Sequence, residues 1–192
     1  GVTDVDPVLL EEAENRNIVE LHAQTLRFRH PLLRAAVYQA AAAAERRAAH
    51  AALAEVTQGE RRAWHLAAAA FAPDEEVAQA LDEAALSARL RGGIGESARA
   101  FERAAQLSTD SERRIERLMG AGGGYLLAGQ LERGFGLLDE ALGLTGDPRV
   151  IAEVHHLKGR GLMFAGSPTE AHSSLTTEAE RVASLDPDKA AL

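Results

Sequence analysis

The sequence predicts a mainly α-helical protein: a stack of helical hairpins preceded by a smaller module that carries one β-hairpin. Three observations lead there. Aromatic residues make up 4% of the 192 residues while the apolar share reaches 46%, much of it alanine, and small side chains with few rings suit closely packed helices better than sheets. Beyond residue 73, glycines and other small residues return every 37 positions. Residues 18–30 instead alternate with a period of two, which is the mark of strands.

Taken from the start, "VDPVLLEEAENRN" (5–17) reads as a short helix. In "IVELHAQTLRFRH" (18–30), Ile18, Glu20 and His22 alternate with Val19 and Leu21, and Leu26, Phe28 and His30 alternate with Arg27 and Arg29. Two short strands turning near Ala23–Thr25 follow from that pattern. Pro31 opens the next helix, where its missing N–H removes no bond. Helices at "AERRAAHAALAEV" (44–56) and "ERRAWHLAAAAF" (60–71) complete a module over 1–72. Trp64 is expected to fill the junction between this module and the helical stack.

Residues 73–192 read as three helix pairs, about 74–109, 110–146 and 147–186, with "DKAAL" as the start of a fourth. The register is set by small residues. Ala85, Gly122 and Gly159 occupy one position; Gly92, Gly129 and Gly166 a second; Ser97, Gly134 and Ala171 a third; Ala104 and Ala141 a fourth. Small residues recur where two backbones would approach, and the glycine recurs where the chain would turn. Acids open the first helix, "DEEVAQALDEAALSARL", and "STDSE" and "TGDP" supply caps between units.

One stretch tests this assignment. "GAGGG" (120–124) places four glycines in five positions. A phosphate loop would need a strand before them and Lys-Ser/Thr after them, but "ERRIERLM" precedes and "YLLAG" follows. Inside a helix each glycine costs about 0.8–1 kcal/mol against alanine, so the cluster needs a reason. The register explains Gly122. Gly120, Gly123 and Gly124 are left over, which predicts a pliable or bent helix.

Composition excludes several classes. Residues 1–72 carry eight Arg against nine Asp/Glu, and residues 73–192 carry thirteen Lys/Arg against twenty Asp/Glu. An acidic surface repels phosphate backbones, so direct nucleic-acid binding is not expected. No run approaches the roughly 20 apolar residues of a membrane helix, and no membrane partner is expected. The start of the chain lacks the basic and apolar segments of a signal peptide, and cysteine is absent; the expected location is cytoplasmic. His155, His156 and His172 do not form a metal site in this reading. Neighbours on a helix diverge by about 100°, and no further ligand completes the set. "HSSLTTE" holds Ser, His and Glu but no nucleophile-elbow pattern, and no catalytic residue is assigned.

Gly122, Tyr125, Gly129, Gly134, Leu138 and Ala141 match in order the small, aromatic, turn and small-apolar positions of the tetratricopeptide repeat, which residues 74–187 resemble. The period of 37 instead of the usual 34, and the loss of most large aromatics, mark a divergent form. "LRFRHPLLRAAVYQAAAAAERRAAHAALAEV…RRAWHLAAAA" is similar to the module that follows the ATPase core in large bacterial STAND-type ATPases, above all the ATP-binding regulators of the LuxR family. The resemblance spans about residues 5–187. It implies a winged-helix module followed by a helical solenoid that senses an inducer or partner. Elsewhere in such a protein it implies an ATPase that binds ATP or ADP and a DNA-binding helix-turn-helix. This chain holds no GxxxxGK[ST], so no cofactor is expected in it. By its place in "RFRHPLL", His30 is implied to contact the nucleotide phosphate of the complete protein; the plainer alternative is a histidine bonding backbone where strand meets helix.

The function expected is a non-catalytic regulatory segment that relays binding in the solenoid to the ATPase. The alternative is an interaction module of another multidomain ATPase or signalling protein. The first helices of the pairs would line the inner face, through Gln79, Asp82, Leu86 and Arg89, then Glu116, Met119, Gly123 and Leu126, then Glu153, His156, Arg160 and Met163. That mixture suits a protein segment or a small-molecule inducer, and the alternative is a solvated groove. An unfinished last repeat leaves an apolar end that would admit a homodimer.

Overall fold

The computed structural model describes residues 6–22, 25–164, 166, 169, 172, 173 and 176. Over these it is mainly helical with one two-stranded antiparallel hairpin near its start, the fold class expected. The chain divides into two compact units, residues 1–69 and 70–192.

In the first unit, α1 (Pro7–Asn15) begins where Asp6 Oδ1 accepts from Val8 N–H at 2.9 Å. It gives way to β1 (Val19–His22) through Asn17, whose φ of +57° turns the chain. β1 pairs with β2 (Thr25–Phe28) so that Val19 faces Phe28 and His22 faces Thr25. Leu21 N–H donates to Glu14 Oε1 at 2.9 Å, tying β1 back to α1. Three helices come next: α2 (Pro31–Ala40), α3 (Ala43–Val56) and α4 (Gly59–Ala69). Among the described residues of this unit the buried apolar side chains are Val19, Ala54, Ala63 and Ala67. Three alanines and a valine bury little area, and apolar burial is worth only about 25 cal/mol per Å². Leu32, Val37 and Val56 meanwhile stay half exposed or more, at 71%, 50% and 55%. Trp64 is 41% exposed.

The second unit contains α5 (Glu75–Leu90), α6 (Ile94–Leu107), α7 (Ser111–Leu127), α8 (Leu131–Leu144) and α9 (Pro148–Phe164). The helix expected to pair with α9, and the start of a fourth pair, lie almost wholly outside the described residues. Each first helix starts on an aspartate. Asp74 accepts from Glu76 and Val77 N–H, Asp110 from Arg113 N–H, and Asp147 from Arg149 N–H, all at 2.9–3.1 Å. The turns end in the same way twice. Gly92 (φ +80°) and Gly129 (φ +76°) take the left-handed conformation. Gly93 N–H then bonds Ala88 C=O at 2.9 Å, and Gln130 N–H bonds Tyr125 C=O at 2.9 Å. This double closure is a Schellman motif, which reverses the chain while satisfying the last carbonyls.

The register residues meet as expected. Ala85, Ser97, Ala104, Gly122, Gly134 and Ala141 are all buried. A Cβ built on Gly122 would lie 2.7 Å from Leu138 Cγ and 3.0 Å from the Gly134 carbonyl oxygen. α7 and α8 therefore touch backbone to backbone. α7 runs unbroken from Ser111 to Leu127, and two of the other three glycines of the cluster have packing reasons of their own. A Cβ on Gly124 would stand 2.9 Å from Ala98 Cβ, and one on Gly120 3.2 Å from the Phe101 ring. Both face α6. Gly123 alone of the four would meet only ordinary contact, at 3.4 Å from Leu157. α7 is thus stripped of side chains because it is packed on several sides at once.

Candidate functional site

The first helices of the hairpins run in the same direction. Position 123 of α7 meets Leu157 of α9 and Leu126 meets Gly161, while Glu75 reaches Arg113 and Asp82 reaches Arg117. Three parallel helices with second helices behind them leave a concave side. There α5, α7 and α9 enclose a hollow of about 740 Å³, within the usual range of ligand sites of roughly 300–1,000 Å³.

What fixes the helices around it is a buried arginine. Arg117 is 3% exposed. Its Nε donates to both Asp82 oxygens at 3.0 Å, Nη2 to Asp82 Oδ2 at 2.7 Å and Nη1 to Ser108 Oγ at 2.6 Å. Nη2 also lies 2.8 Å from Glu75 Oε1. The other oxygen of Glu75 accepts from Thr109 N–H at 3.0 Å, so α5 is held to the α6–α7 turn. Burial tends to raise the Glu75 pKa, but the hydrogen bonds from Arg117 and the Thr109 backbone outweigh it and hold the carboxyl below its usual range. Burial likewise tends to lower the Arg117 pKa, and its bonds to Asp82 and Glu75 raise it above the ordinary value. A second tie lies between α6, α7 and α8. Tyr125 O–H donates to Glu102 Oε2 at 2.6 Å, and Arg133 Nη2 donates to the same oxygen at 2.7 Å while its guanidinium lies over the Tyr125 ring. Burial, then the Glu102 carboxylate, push the Tyr125 phenol well above its usual range.

The hollow has two polar ends. Glu112, Glu116 and Glu153 stand at one, level with the starts and middles of α7 and α9, and Arg89 and Arg160 stand at the other. Met119, Leu157 and the Gly123–Gly124 backbone lie between them. These five charged side chains are exposed. None has a hydrogen bond or ion pair among the described residues. Elsewhere on the unit, opposite charges do find each other: Arg114 with Glu140 at 2.7 Å, Arg133 with Glu102 at 2.7 Å and Lys158 with Asp139 at 2.6 Å.

Of the residues expected on the inner face, Arg89, Glu116, Met119, Gly123, Leu126, Glu153 and Arg160 line the hollow. Leu126 does so from a buried position, 3% exposed, wedged against Gly134 and Gly161. Asp82 is a correction: its carboxylate is taken up by Arg117. Gln79, Leu86, His156 and Met163 are exposed but are not part of the lining. Sequence reasoning missed Arg117 and its partners. The signal was present, because Arg117 stands in the register of Ala80 and Val154, and an arginine at an apolar position must bring its counter-charges with it.

His30 caps α2. Its Nδ1 accepts from Leu32 N–H at 3.2 Å at the strand-to-helix junction, which is the plainer of the two roles weighed for it. A cluster that the sequence did not reveal lies nearby in the chain. Tyr38 O–H meets His50 Nε2 at 2.9 Å, and His50 Nδ1 meets His65 Nδ1 at 2.9 Å. Burial, then the neighbouring His65, lower the His50 pKa. Among the described residues no three metal-binding side chains converge, and no helix is long and apolar enough to cross a membrane. No family model, no curated protein and no solved structure matches the chain.

Proposed function

We propose that this chain is a non-catalytic regulatory segment of a LuxR-family, STAND-type ATP-binding transcriptional regulator. Its helical stack takes up a protein segment or small-molecule inducer, and its N-terminal unit, a winged-helix remnant, passes the event to the ATPase. The observation that carries the reading is the hollow: a ligand-sized concavity in which the side chains of Glu112, Glu116, Glu153, Arg89 and Arg160 have no hydrogen-bond or ion-pair partner among the described residues. The thin core of the N-terminal unit supports the second half of the reading. Leu32, Val37 and Val56 are apolar side chains with surface left to bury, as a module that works against another domain requires. In the complete protein ATP or ADP would belong to the ATPase, and His30, whose Nδ1 accepts from Leu32 N–H, would meet a nucleotide phosphate through its other ring nitrogen, Nε2.

The test uses the complete protein with a transcriptional reporter. Arg160→Glu, an exposed change outside the packed core, should leave ATP binding intact and abolish the inducer response. An unchanged response, or a saturable thermal shift of the 192-residue chain itself with ATP, would overturn the proposal.

A further inference from the structure

The charges lining the hollow are sorted by sign, and the spacing between them is a measurable length. Glu116 and Gly124 are eight residues apart on α7 and Glu112 and Gly124 are twelve apart. Glu153 and Arg160 are seven apart on α9, so at 1.5 Å per residue the acidic and basic ends lie roughly 10–18 Å apart. Arg89 and Arg160 stand at the Gly124 end: Arg160 adjoins Gly161, which packs on Leu126, and Arg89 is seven residues beyond Asp82, the partner of Arg117. Between the ends the floor is apolar: Met119 and Leu157 flank Gly123, which carries no side chain.

We infer that the hollow receives an extended peptide stretch that is cationic at one end and anionic at the other, with apolar residues between. The positive group sits among Glu112, Glu116 and Glu153. The negative group, a side-chain or terminal carboxylate, is gripped by Arg89 and Arg160, whose planar guanidinium forks match a carboxylate. The separation sets the length. At about 3.3 Å per extended residue, three or four residues between the two charges span the gap. Ends of opposite sign admit such a segment and reject single-sign ones, since a like charge at either end meets repulsion without compensation. This inference names the ligand class for the site proposed above and rests on that reading.

The test is fluorescence anisotropy with the 192-residue chain and a series of labelled peptides, Lys-(Ala/Leu)n-Glu with n from one to seven. Lys-(Ala/Leu)n-Lys and Glu-(Ala/Leu)n-Glu serve as single-sign controls. Affinity should peak at n of three or four, exceed both controls at least tenfold, and fall as salt is raised. The variant Arg89→Glu/Arg160→Glu, whose unchanged thermal unfolding shows that it folds, should reverse the preference toward the Lys–Lys series by at least tenfold. Affinity that is flat with n, equal for all three series, absent throughout, or unmoved by the double reversal would overturn the inference. Those outcomes are separable from failure of the regulatory reading, which is decided by the reporter response of the complete protein.

Discussion

Alanine placed at Gly122, and separately at Gly123, adds the same methyl group at adjacent positions of one helix, and the two should act with opposite sign. At Gly123 the new Cβ lies 3.4 Å from Leu157 Cδ2, an ordinary contact. Helix propensity then decides the outcome, a gain of roughly 0.8–1 kcal/mol. At Gly122 the same atom lands 2.7 Å from Leu138 Cγ and 3.0 Å from the Gly134 carbonyl. Leu138 is fully buried and the carbonyl is backbone, so α7 and α8 must part. Overpacking of this kind costs about 1–3 kcal/mol; with two buried Leu138 atoms under 3 Å the upper half of that range applies, and after the propensity gain the net loss is roughly 1–2 kcal/mol. Gly124 provides an internal check. Gly124→Ala should destabilise through Ala98 Cβ at 2.9 Å, and Ala98→Gly should recover part of the loss, so the double variant costs less than the two singles added together. The assay is urea unfolding followed by far-UV circular dichroism. Gly123→Ala less stable than the parent, or Gly122→Ala equal to it, would refute the packing account of the glycine cluster.

Three further outcomes are set by the geometry. Arg117→Ala should cost about 3 kcal/mol by urea unfolding, because it leaves Asp82 and Glu75 facing each other without a cation. For Glu75, with its folded pKa lowered, the stabilisation is present above the unfolded value of about 4.3 and is lost as pH falls through the folded value; the parent should show that acid loss and Arg117→Ala should show less of it. In the N-terminal unit, His50 also has its pKa lowered, so stability should be level above about pH 6.5 and decline as pH falls below it. His50→Gln should flatten that profile in thermal unfolding measured from about pH 5 to 8. Gly129→Ala forces a Cβ onto a φ of +76°, at a cost of about 1 kcal/mol, whereas Gly143→Ala inside α8, where an added Cβ meets nothing within 4 Å, should stabilise by calorimetry.

Local signals carried the hairpin and the helix ends. Val19 through Phe28 alternate, a left-handed glycine turns the chain within each of the first two hairpins and an aspartate caps each first helix, features that act over a few residues and so are visible in a linear string. The repeat register likewise located Gly122 and Gly134, because backbone approach demands small residues whatever surrounds them. What escaped depends on neighbours distant in the chain. Gly124 and Gly120 are explained only by Ala98 and Phe101, residues of the preceding helix. The Asp82 carboxylate is taken up by Arg117, 35 positions later. His50 and His65 meet across two helices whose spacing no periodicity encodes. For the hollow, the sequence supplied seven of the lining residues but not the sorting of their charges into two ends, which emerges only once the helix directions are known.

Arg117 has a further mechanical meaning. It rivets the first hairpin to the second through directional, charged bonds, and the same register on α9 holds Val154, fully buried in an apolar seam. Directional bonds resist sliding, while oily contact tolerates it. A guest pressed between α7 and α9 would therefore find one joint locked by a buried ion cluster and the other held by apolar contact and the peripheral Lys158–Asp139 pair. The first two hairpins would serve as an anvil, and α9 would be the part that yields.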